Sequence, residues 1–441
     1  MRSVPPVPLV AVVAALALGA CKTTAEDIDK YKGAMNGVNF IGDAIASPGT
    51  DTSVQGKAIE ALAELGEFKE LEAALTLLKE DGGDGASHKA VDDAVARFEK
   101  VLEGSDDAAK ERAKDGLFAV RAFASDDTAK KCDGLVLDWL TADVSGHVTK
   151  GAFTASTVVP AIGAPAVDAL IAVLKPDAKN SDDLDKLAVP DLILKTATPA
   201  QKAEAAKHFV AFAKSLHPNL PGPVAVSLLN LGKEGGAAVA VPFFMEYAAD
   251  RTAAPEGRFQ AMSAMVTLAT PDMRPAVEKI ATDAEAPPGV RAKAFDILIK
   301  FKDPASLKIL YPLSTDEKVQ GAMGEVVVGV GGKEHVKEWL ESIPTGKGVE
   351  YPRGVVQYWG QDIGKVGKAD AAAIGQSLLK SKSWIARLTG ISILEFNGTK
   401  ADAASVKALA GEATTVTGPG WDAGVTVGKE ATRVAALLEG K

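Results

Sequence analysis

The sequence predicts an all-α chain folded as a right-handed α-solenoid of about ten helical hairpins. One observation is an apolar stripe at i, i+4, i+7, i+8 and i+11, formed for example by Val290, Ala294, Ile297, Leu298 and Phe301. A second is that the stripe recurs along most of the chain, with a mean spacing of about 34 residues. One hairpin cannot bury such a stripe alone, so successive hairpins are expected to stack into a continuous core.

The stretch Pro287–Leu313 shows the predicted hairpin most clearly. Its stripe forms the first helix, and Asp303-Pro304 begins a second, short helix. Asp is a favourable N-cap, and Pro at the first helical position loses no hydrogen bond because that N–H has no helical acceptor. The stretch contains packing, capping and turn residues, so it is interpreted as scaffold.

The other hairpins are located by the last residue of each stripe, at position i+11, where the stripe closes. These positions are Leu65, Phe123, Ile162, Lys195, Leu231, Leu268, Phe301, Val330, Ile363 and Phe396. Capping boxes at Thr198–Gln201 and Ser314–Glu317 are predicted to begin helices. Between residues 67 and 123 the pattern does not fix the register, although helices at 87–102 and 106–123 and a loop at 81–85 are expected.

The predicted domain organisation has four parts. Residues 1–20 are a cleaved signal peptide, and 21–50 are a tether with an N-terminal helix over 28–46. Residues 51–410 form the solenoid. Residues 411–441 comprise a loop over 411–424 and a C-terminal capping helix at 430–438 that shields the last apolar face.

Composition limits the possible partners. The net charge of −9 and the pI near 5.3 argue against nucleic-acid binding, which requires a basic surface. The acids are dispersed among lysines and arginines, so they indicate a solvated surface of mixed charge.

The N-terminus carries an export signal. Arg2 precedes an apolar run over 7–20 that is too short to span a bilayer but suits a signal peptide. The run ends in Leu18-Gly-Ala-Cys21, which resembles the bacterial lipobox. That resemblance implies that Cys21 receives a diacylglycerol, and Lys22 in the next position implies sorting to the outer membrane. The alternative is ordinary secretory cleavage after Ala20.

The hairpin at 287–310 resembles a HEAT repeat in its Val290-Arg291 pair and its Asp303-Pro304 turn. The resemblance extends over about 50–410 and implies a fold, not a chemistry. Gln55 and Gln320 replace the arginine in two other hairpins, so the Arg–Asp ladder of better-matched HEAT families is interrupted. A tetratricopeptide-like array is the second choice, and the ankyrin Thr-Pro-Leu-His turn is missing.

Motifs for catalysis, metals or cofactors do not emerge. The sequence lacks His-Glu-x-x-His, Cys-x-x-Cys, a Walker loop and a Gly-x-Ser-x-Gly elbow. The acids Asp182, Asp183 and Asp185 are interpreted as a solvated loop, Glu334-His335 with Glu338 as exposed charge, and Cys132 as a buried core residue. We therefore expect no enzyme activity, no cofactor and no metal.

The remaining candidates are aromatic residues in the Gly-rich run 344–367. Trp359 lies on the stripe and is predicted to be core. Tyr351 and Tyr358 lie off the stripe and are predicted to be exposed residues that bind a partner.

The predicted function is that of a lipid-anchored envelope scaffold that binds an unidentified protein or peptide on its concave face. Cys21 would attach it to the membrane. A structural spacer lipoprotein is the alternative, and a chromophore lyase similar to the HEAT-like phycobilin lyases is a remote one. Function is expected where the repeat is irregular, at 67–123, 344–367 and 411–424.

Overall fold

The computed structural model describes residues 22–142, 150–173, 188–346 and 349–441. Within these ranges the regular structure is helical, and the single β-bridge joins Thr415 to Thr426. The predicted all-α class is therefore confirmed. The predicted lipidation site and loop acids lie outside the described residues: Cys21, Asp182, Asp183 and Asp185.

The chain divides into two compact units, Met1–Lys175 with Lys179–His208, and Pro176–Ala178 with Phe209–Lys441. The described helices of the first unit are α1 (Ala25–Tyr31), α2 (Gly37–Ala46), α3 (Thr52–Leu65), α4 (Phe68–Gly82), α5 (Asp84–Leu102), α6 (Asp107–Val120), α7 (Asp126–Ala142), α8 (Ala155–Ile162), α9 (Ala164–Val173) and α10 (Ala188–Thr196). The boundary between the units falls within α11 (Pro199–Ser215).

The described helices of the second unit are α12 (Gly222–Leu231), α13 (Ala237–Ala249), α14 (Pro255–Leu268), α15 (Arg274–Thr282), α16 (Pro288–Phe301), α17 (Leu307–Leu310), α18 (Met323–Gly331), α19 (Val336–Ser342), α20 (Arg353–Ile363), α21 (Lys368–Leu378), α22 (Trp384–Asn397), α23 (Ala403–Lys407) and α24 (Val427–Glu439). Helices α3, α8, α12, α14, α16 and α20 end at the residue where the predicted stripe closes.

The hairpin at Pro287–Leu313 forms as the sequence predicts. In α16, Val290, Ala294, Ile297 and Leu298 are buried. The carboxylate of Asp303 then accepts a hydrogen bond from the backbone N–H of Ala305, 3.0 Å away, and a 3₁₀ turn leads into the short α17.

Helices of the second unit contact one another in a regular order. Along one layer α12 contacts α14, α14 contacts α16, α16 contacts α18, α18 contacts α20, α20 contacts α22, and α22 contacts α24. In the other layer α13 contacts α15, α15 contacts α17, and α19 contacts α21. Helices of one layer of the second unit therefore contact one another in succession, and most of the stripe residues there are buried, although Phe396 is 38% exposed.

A buried polar side chain joins neighbouring hairpins at an equivalent position in α14, α16 and α3. Arg258 Nε donates to the Ala248 carbonyl oxygen at 2.8 Å, and Arg291 Nε donates to that of Ala281 at 2.9 Å. In the first unit Gln55 Nε2 donates to the Ile45 carbonyl oxygen at 3.1 Å. In each case the carbonyl acceptor lies ten residues before the donor in the sequence. Gln55 therefore makes the same hydrogen bond to the backbone as the two arginines, although it carries no charge.

The first unit packs less regularly. Helix α3 contacts α4, α5 and α6, and α5 contacts α4, α6 and α7. The predicted helices at 87–102 and 106–123 are present as α5 and as α6 with a 3₁₀ turn. The predicted loop at 81–85 is wrong, because only Gly83 separates α4 from α5.

Two other local predictions are wrong. The helix expected over 28–46 is broken at residues 32–36, between α1 and α2. The capping box at Ser314–Glu317 does not form, because the buried Ser314 hydroxyl donates to the Tyr311 carbonyl and accepts from Trp339 Nε1 at 2.6 Å. The box at Thr198–Gln201 is confirmed by both of its hydrogen bonds.

One helical segment, Gly222–Ala249, is long and apolar enough to cross a membrane by composition. Half of its most apolar stretch is buried inside the protein, and its backbone departs from helical geometry at Glu234 and Gly235. The bent pair α8 and α9 passes the same test only when the two helices are taken together. Buried core helices share this composition, so these segments are weak indicators of a membrane span.

Candidate functional site

The structure places Tyr351 in the core, so its predicted exposure is wrong. The residue is 1% exposed, and its ring centroid lies 5.9 Å from that of Trp359. Its hydroxyl donates to the Pro344 carbonyl oxygen at 3.1 Å, and burial raises the pKa of Tyr351 to about 12. Trp359 is fully buried, as predicted. The side chain of Tyr351 is thus packed inside the protein.

The C-terminal loop bonds to the backbone of Tyr351, while the ring packs near those of Trp359 and Trp384. The Tyr351 N–H donates to the Thr417 carbonyl oxygen at 3.1 Å, and Trp421 Nε1 donates to the Tyr351 carbonyl oxygen at 2.8 Å. Gly418 has φ +134°, and a Cβ there would lie 2.7 Å from the same carbonyl oxygen. Two of the three irregular stretches, 344–367 and 411–424, therefore pack against each other.

Tyr358 lies on α20 and not in a loop. It is 59% exposed, as the sequence predicts. Because the Tyr351 ring faces the core, the two tyrosines do not form one surface.

The third irregular stretch contributes to an open groove in the first unit. The groove lies between α5, α6 and α7 and has a volume of about 640 Å³. Leu102, Leu135 and the partly buried Trp139 supply its apolar wall. A volume of this size lies in the range of ligand sites, and an aromatic wall is common in them.

Acidic side chains surround this apolar wall. Five acids, Glu99, Glu103, Asp107, Glu111 and Asp138, line the groove against two lysines. Within the described part of the chain, Glu99 is paired with Lys131 at 2.7 Å and the other four acids form no ion pair. The groove therefore presents a negative potential that favours a cationic ligand.

A buried ion pair lies behind Trp139. Lys114 and Asp115 are 1% and 4% exposed, and Lys114 Nζ donates to Asp115 Oδ1 at 2.5 Å. The same ammonium lies 4.9 Å from the centroid of the Trp139 ring and donates to the Phe153 carbonyl oxygen at 2.6 Å. Asp115 in turn accepts from the backbone N–H of Ala152 at 2.7 Å. These contacts fix the rear face of the aromatic wall.

Sequence reasoning missed this groove. It left the register at 67–123 open and proposed no binding role for any residue of the groove. A signal was present in two acid pairs spaced four residues apart, Glu99 with Glu103 and Asp107 with Glu111. That spacing places each pair on one face of a helix, but it does not show that the two faces meet.

Other reactive side chains do not converge. Among the described residues no group of three His, Cys, Asp or Glu side chains is placed to hold a metal. His217 Nε2 lies 3.0 Å from Asp250 and 3.4 Å from the Thr252 hydroxyl. One ring nitrogen faces both partners, whereas a catalytic triad uses both nitrogens. Cys132 is fully buried as predicted, and burial, with the nearby charge of Asp133, raises its thiol pKa to about 12.

No protein-family model matches the chain, and no curated protein is significantly similar to it. The groove between α5, α6 and α7 combines a volume of about 640 Å³, an aromatic wall and four acids that form no ion pair among the described residues. These features make it the strongest candidate for a binding site.

Proposed function

We propose that this chain is a lipid-anchored scaffold of the bacterial envelope that binds a basic segment of another protein in the groove between α5, α6 and α7. The acid-lined groove with Trp139 in its wall carries the proposal. Arg and Lys side chains of a partner would pair with the acids, and their aliphatic stems would pack along the apolar wall. Trp and Arg are also the residues that most often dominate the energy of protein interfaces.

The scaffold part of the proposal is an α-solenoid with HEAT-like hairpins. It is supported by the contacts of α12, α14, α16, α18, α20, α22 and α24, each with the next. The matching bonds of Arg258 and Arg291 to carbonyls ten residues earlier also support it, because they repeat at a spacing of one hairpin. A stack of this kind presents a long surface whose chemistry varies from hairpin to hairpin.

The anchor part of the proposal is diacylglycerol attachment at Cys21, with location at the outer membrane. Its support is the sequence Leu18-Gly-Ala-Cys21 after an apolar run, followed by Lys22. Two or three acyl chains give a stable anchor, whereas a single chain gives a reversible one.

Removing charge from the groove tests the binding function. The triple variant Glu103→Gln, Asp107→Asn, Asp138→Asn neutralises three acids that form no ion pair among the described residues. A matched control, Glu72→Gln, Glu80→Gln, Asp81→Asn, makes the same charge change at exposed positions of α4. Each chain is used to capture proteins from solubilised envelope, and the captured proteins are quantified by mass spectrometry.

A partner that depends on the groove should fall by about tenfold or more with the groove variant and remain with the control. Its capture by the parent chain should also weaken as salt is raised, because the attraction is electrostatic. Equal capture by the two variants would contradict the groove as the binding site. Capture of no specific partner by the parent chain would instead favour a spacer lipoprotein.

A further inference from the structure

The turn between α1 and α2 exposes large apolar side chains. Met35 is 90% exposed, the highest value among the large apolar side chains of the described residues, and Phe40 is 51% exposed. The Phe40 ring stacks on that of Tyr31 with a centroid distance of 5.3 Å. We call Tyr31–Phe40 the N-terminal tip.

The tip is almost free of charge. Residues 33–42 contain no Asp, Glu, Lys or Arg. Lys32, which begins the turn, forms ion pairs with Glu64 and with Asp29. Moving residues 33–40 out of water therefore buries apolar area without desolvating a charge of their own, provided that Asp43 and Asp51 of the adjoining cavity stay at the level of the headgroups.

Local geometry holds Met35 outward. Asn36 adopts φ 65°, a left-handed conformation that asparagine tolerates better than most residues. A Cβ on Gly37 would lie 1.8 Å from the Tyr31 carbonyl oxygen, so only glycine fits this close approach. The exposure of Met35 thus belongs to a tight turn with a defined conformation.

The tip is close in the chain and in space to the predicted lipid. Lys22, the residue after Cys21, lines the same cavity of about 480 Å³ as Tyr31 and Phe40. Consecutive Cα atoms are about 3.8 Å apart, so acyl chains on Cys21 would begin within one residue of this surface. The bilayer that receives those chains is then the apolar phase nearest to the tip.

We propose that the N-terminal tip inserts Met35 and Phe40 into the surface of the lipid bilayer that anchors Cys21. This inference rests on the lipidation in the proposed function. Interfacial side chains reach about 5–10 Å into the boundary between headgroups and acyl chains. The lipid alone is a flexible tether, whereas the lipid and the tip together give the first unit a fixed orientation on the membrane.

Site-specific fluorescence on the lipidated chain tests this contact. Met35→Cys is labelled with an environment-sensitive fluorophore, and Leu437→Cys, at a 49% exposed position of α24, is the control. Cys132 should not react, because it is buried and its thiol pKa is near 12. Each protein, purified from membranes and checked by intact mass, is placed in phosphatidylcholine vesicles that contain a lipid spin-labelled in its acyl chain.

The expected result is loss of fluorescence at position 35 and little loss at position 437. Equal quenching at the two positions in a chain that carries the diacylglycerol mass would overturn the tip contact and leave the anchor standing. A chain without the diacylglycerol mass would overturn both the anchor and the tip contact.

Discussion

The two compact units bury cationic side chains in different ways. In the second unit, Arg258 and Arg291 bond to the preceding hairpin, and the helices of one layer, from α12 to α24, contact one another in succession. In the first unit, Lys114 and Asp115 on α6 bond to residues 150–153, while α3 contacts three later helices. The second unit buries its arginines by one repeated contact rule, whereas in the first unit that position is held by the uncharged Gln55 and the buried cation belongs to a separate polar cluster.

The groove lies in the unit whose described helices lack this regular succession of contacts. A stripe that meets an equivalent stripe is covered on both sides, and little apolar surface remains for a ligand. Helices α5, α6 and α7 depart from that rule, and the wall containing Trp139 lies between them. Departure from the local packing rule leaves this apolar wall open, and functional sites in general violate such local rules.

Breaking the polar cluster of the first unit should have the largest effect on stability. Lys114→Met leaves the buried Asp115 carboxylate without its cation and the Phe153 carbonyl without its donor. Loss of one partner of a buried pair costs about 3–5 kcal/mol. Urea unfolding followed by circular dichroism gives the value, and hydrogen exchange should place the loss in α3–α7. The control Lys89→Met, at an exposed site on α5, should change stability by less than about 0.5 kcal/mol.

Breaking the ladder of the second unit should have a somewhat smaller effect. Arg291 is fully buried, and besides the Ala281 carbonyl it binds Asp316 at 2.6 Å. Asp316 retains some solvent contact, so Arg291→Met should cost about 3 kcal/mol by urea unfolding. Lys293→Met, on the same helix and in a surface pair with Asp296, should cost no more than about 0.5 kcal/mol. Similar losses for both variants would argue against a structural role for the buried arginine.

The Arg291–Asp316 contact should also depend on pH. Burial alone would raise the pKa of Asp316, but the hydrogen bonds from Arg291 and Lys318 and the Arg291 charge hold it below its usual value. A carboxylate with a lowered folded pKa stabilises the protein above its unfolded pKa, and the contribution is lost as pH falls through the folded value. The stability difference between parent and Arg291→Met should therefore shrink between about pH 7 and pH 3. A difference that stays constant would show that Asp316 contributes nothing.

The smallest expected effect separates the two tyrosines of the 344–367 run. Tyr351→Phe removes the hydroxyl that donates to the Pro344 carbonyl, which should cost about 1 kcal/mol. Tyr358→Phe changes an exposed hydroxyl and should remain within about 0.5 kcal/mol of the parent. Thermal unfolding of both variants measures this difference in stability between the buried and the exposed tyrosine. Equal losses of stability in the two variants would show that the hydrogen bond of the buried Tyr351 hydroxyl does not stabilise the protein.

The sequence predicts the features that depend on neighbouring residues. The end of α16 at Phe301 and the cap at Asp303 follow from a stripe and a turn within a few residues. The prediction for Tyr351 is wrong because its ring packs near Trp359 and Trp384, and its backbone bonds to a loop around Trp421 that is 70 residues away. Ser314 failed as a cap because a distant side chain, Trp339, takes its hydroxyl oxygen. Tertiary contacts of this kind leave no periodic signal in the sequence.

The groove has the same non-local origin. Glu103, Asp107 and Trp139 belong to the ends or faces of three helices, and their meeting depends on how α5, α6 and α7 pack. The polar residue in the first turn of a hairpin's first helix is also more widespread than the sequence pattern indicates. Arg258 was overlooked because its stripe begins with Gly257, yet it makes the same bond as Arg291.

If the groove of the first unit, and not another helix face, receives a basic segment of a partner, a cross-linking probe in the groove should capture that segment. Ala108 lines the groove and Ala73 lies on α4, and both are exposed. A photoreactive amino acid is placed at either position, and cross-linked peptides from the envelope are identified by mass spectrometry. Position 108 should give a cross-linked peptide that contains clustered Lys and Arg. This product should be lost in the variant Glu103→Gln, Asp107→Asn, Asp138→Asn, and it should not form from position 73. The same products from both positions, or products from position 108 without basic residues, would contradict binding of a basic segment in the groove.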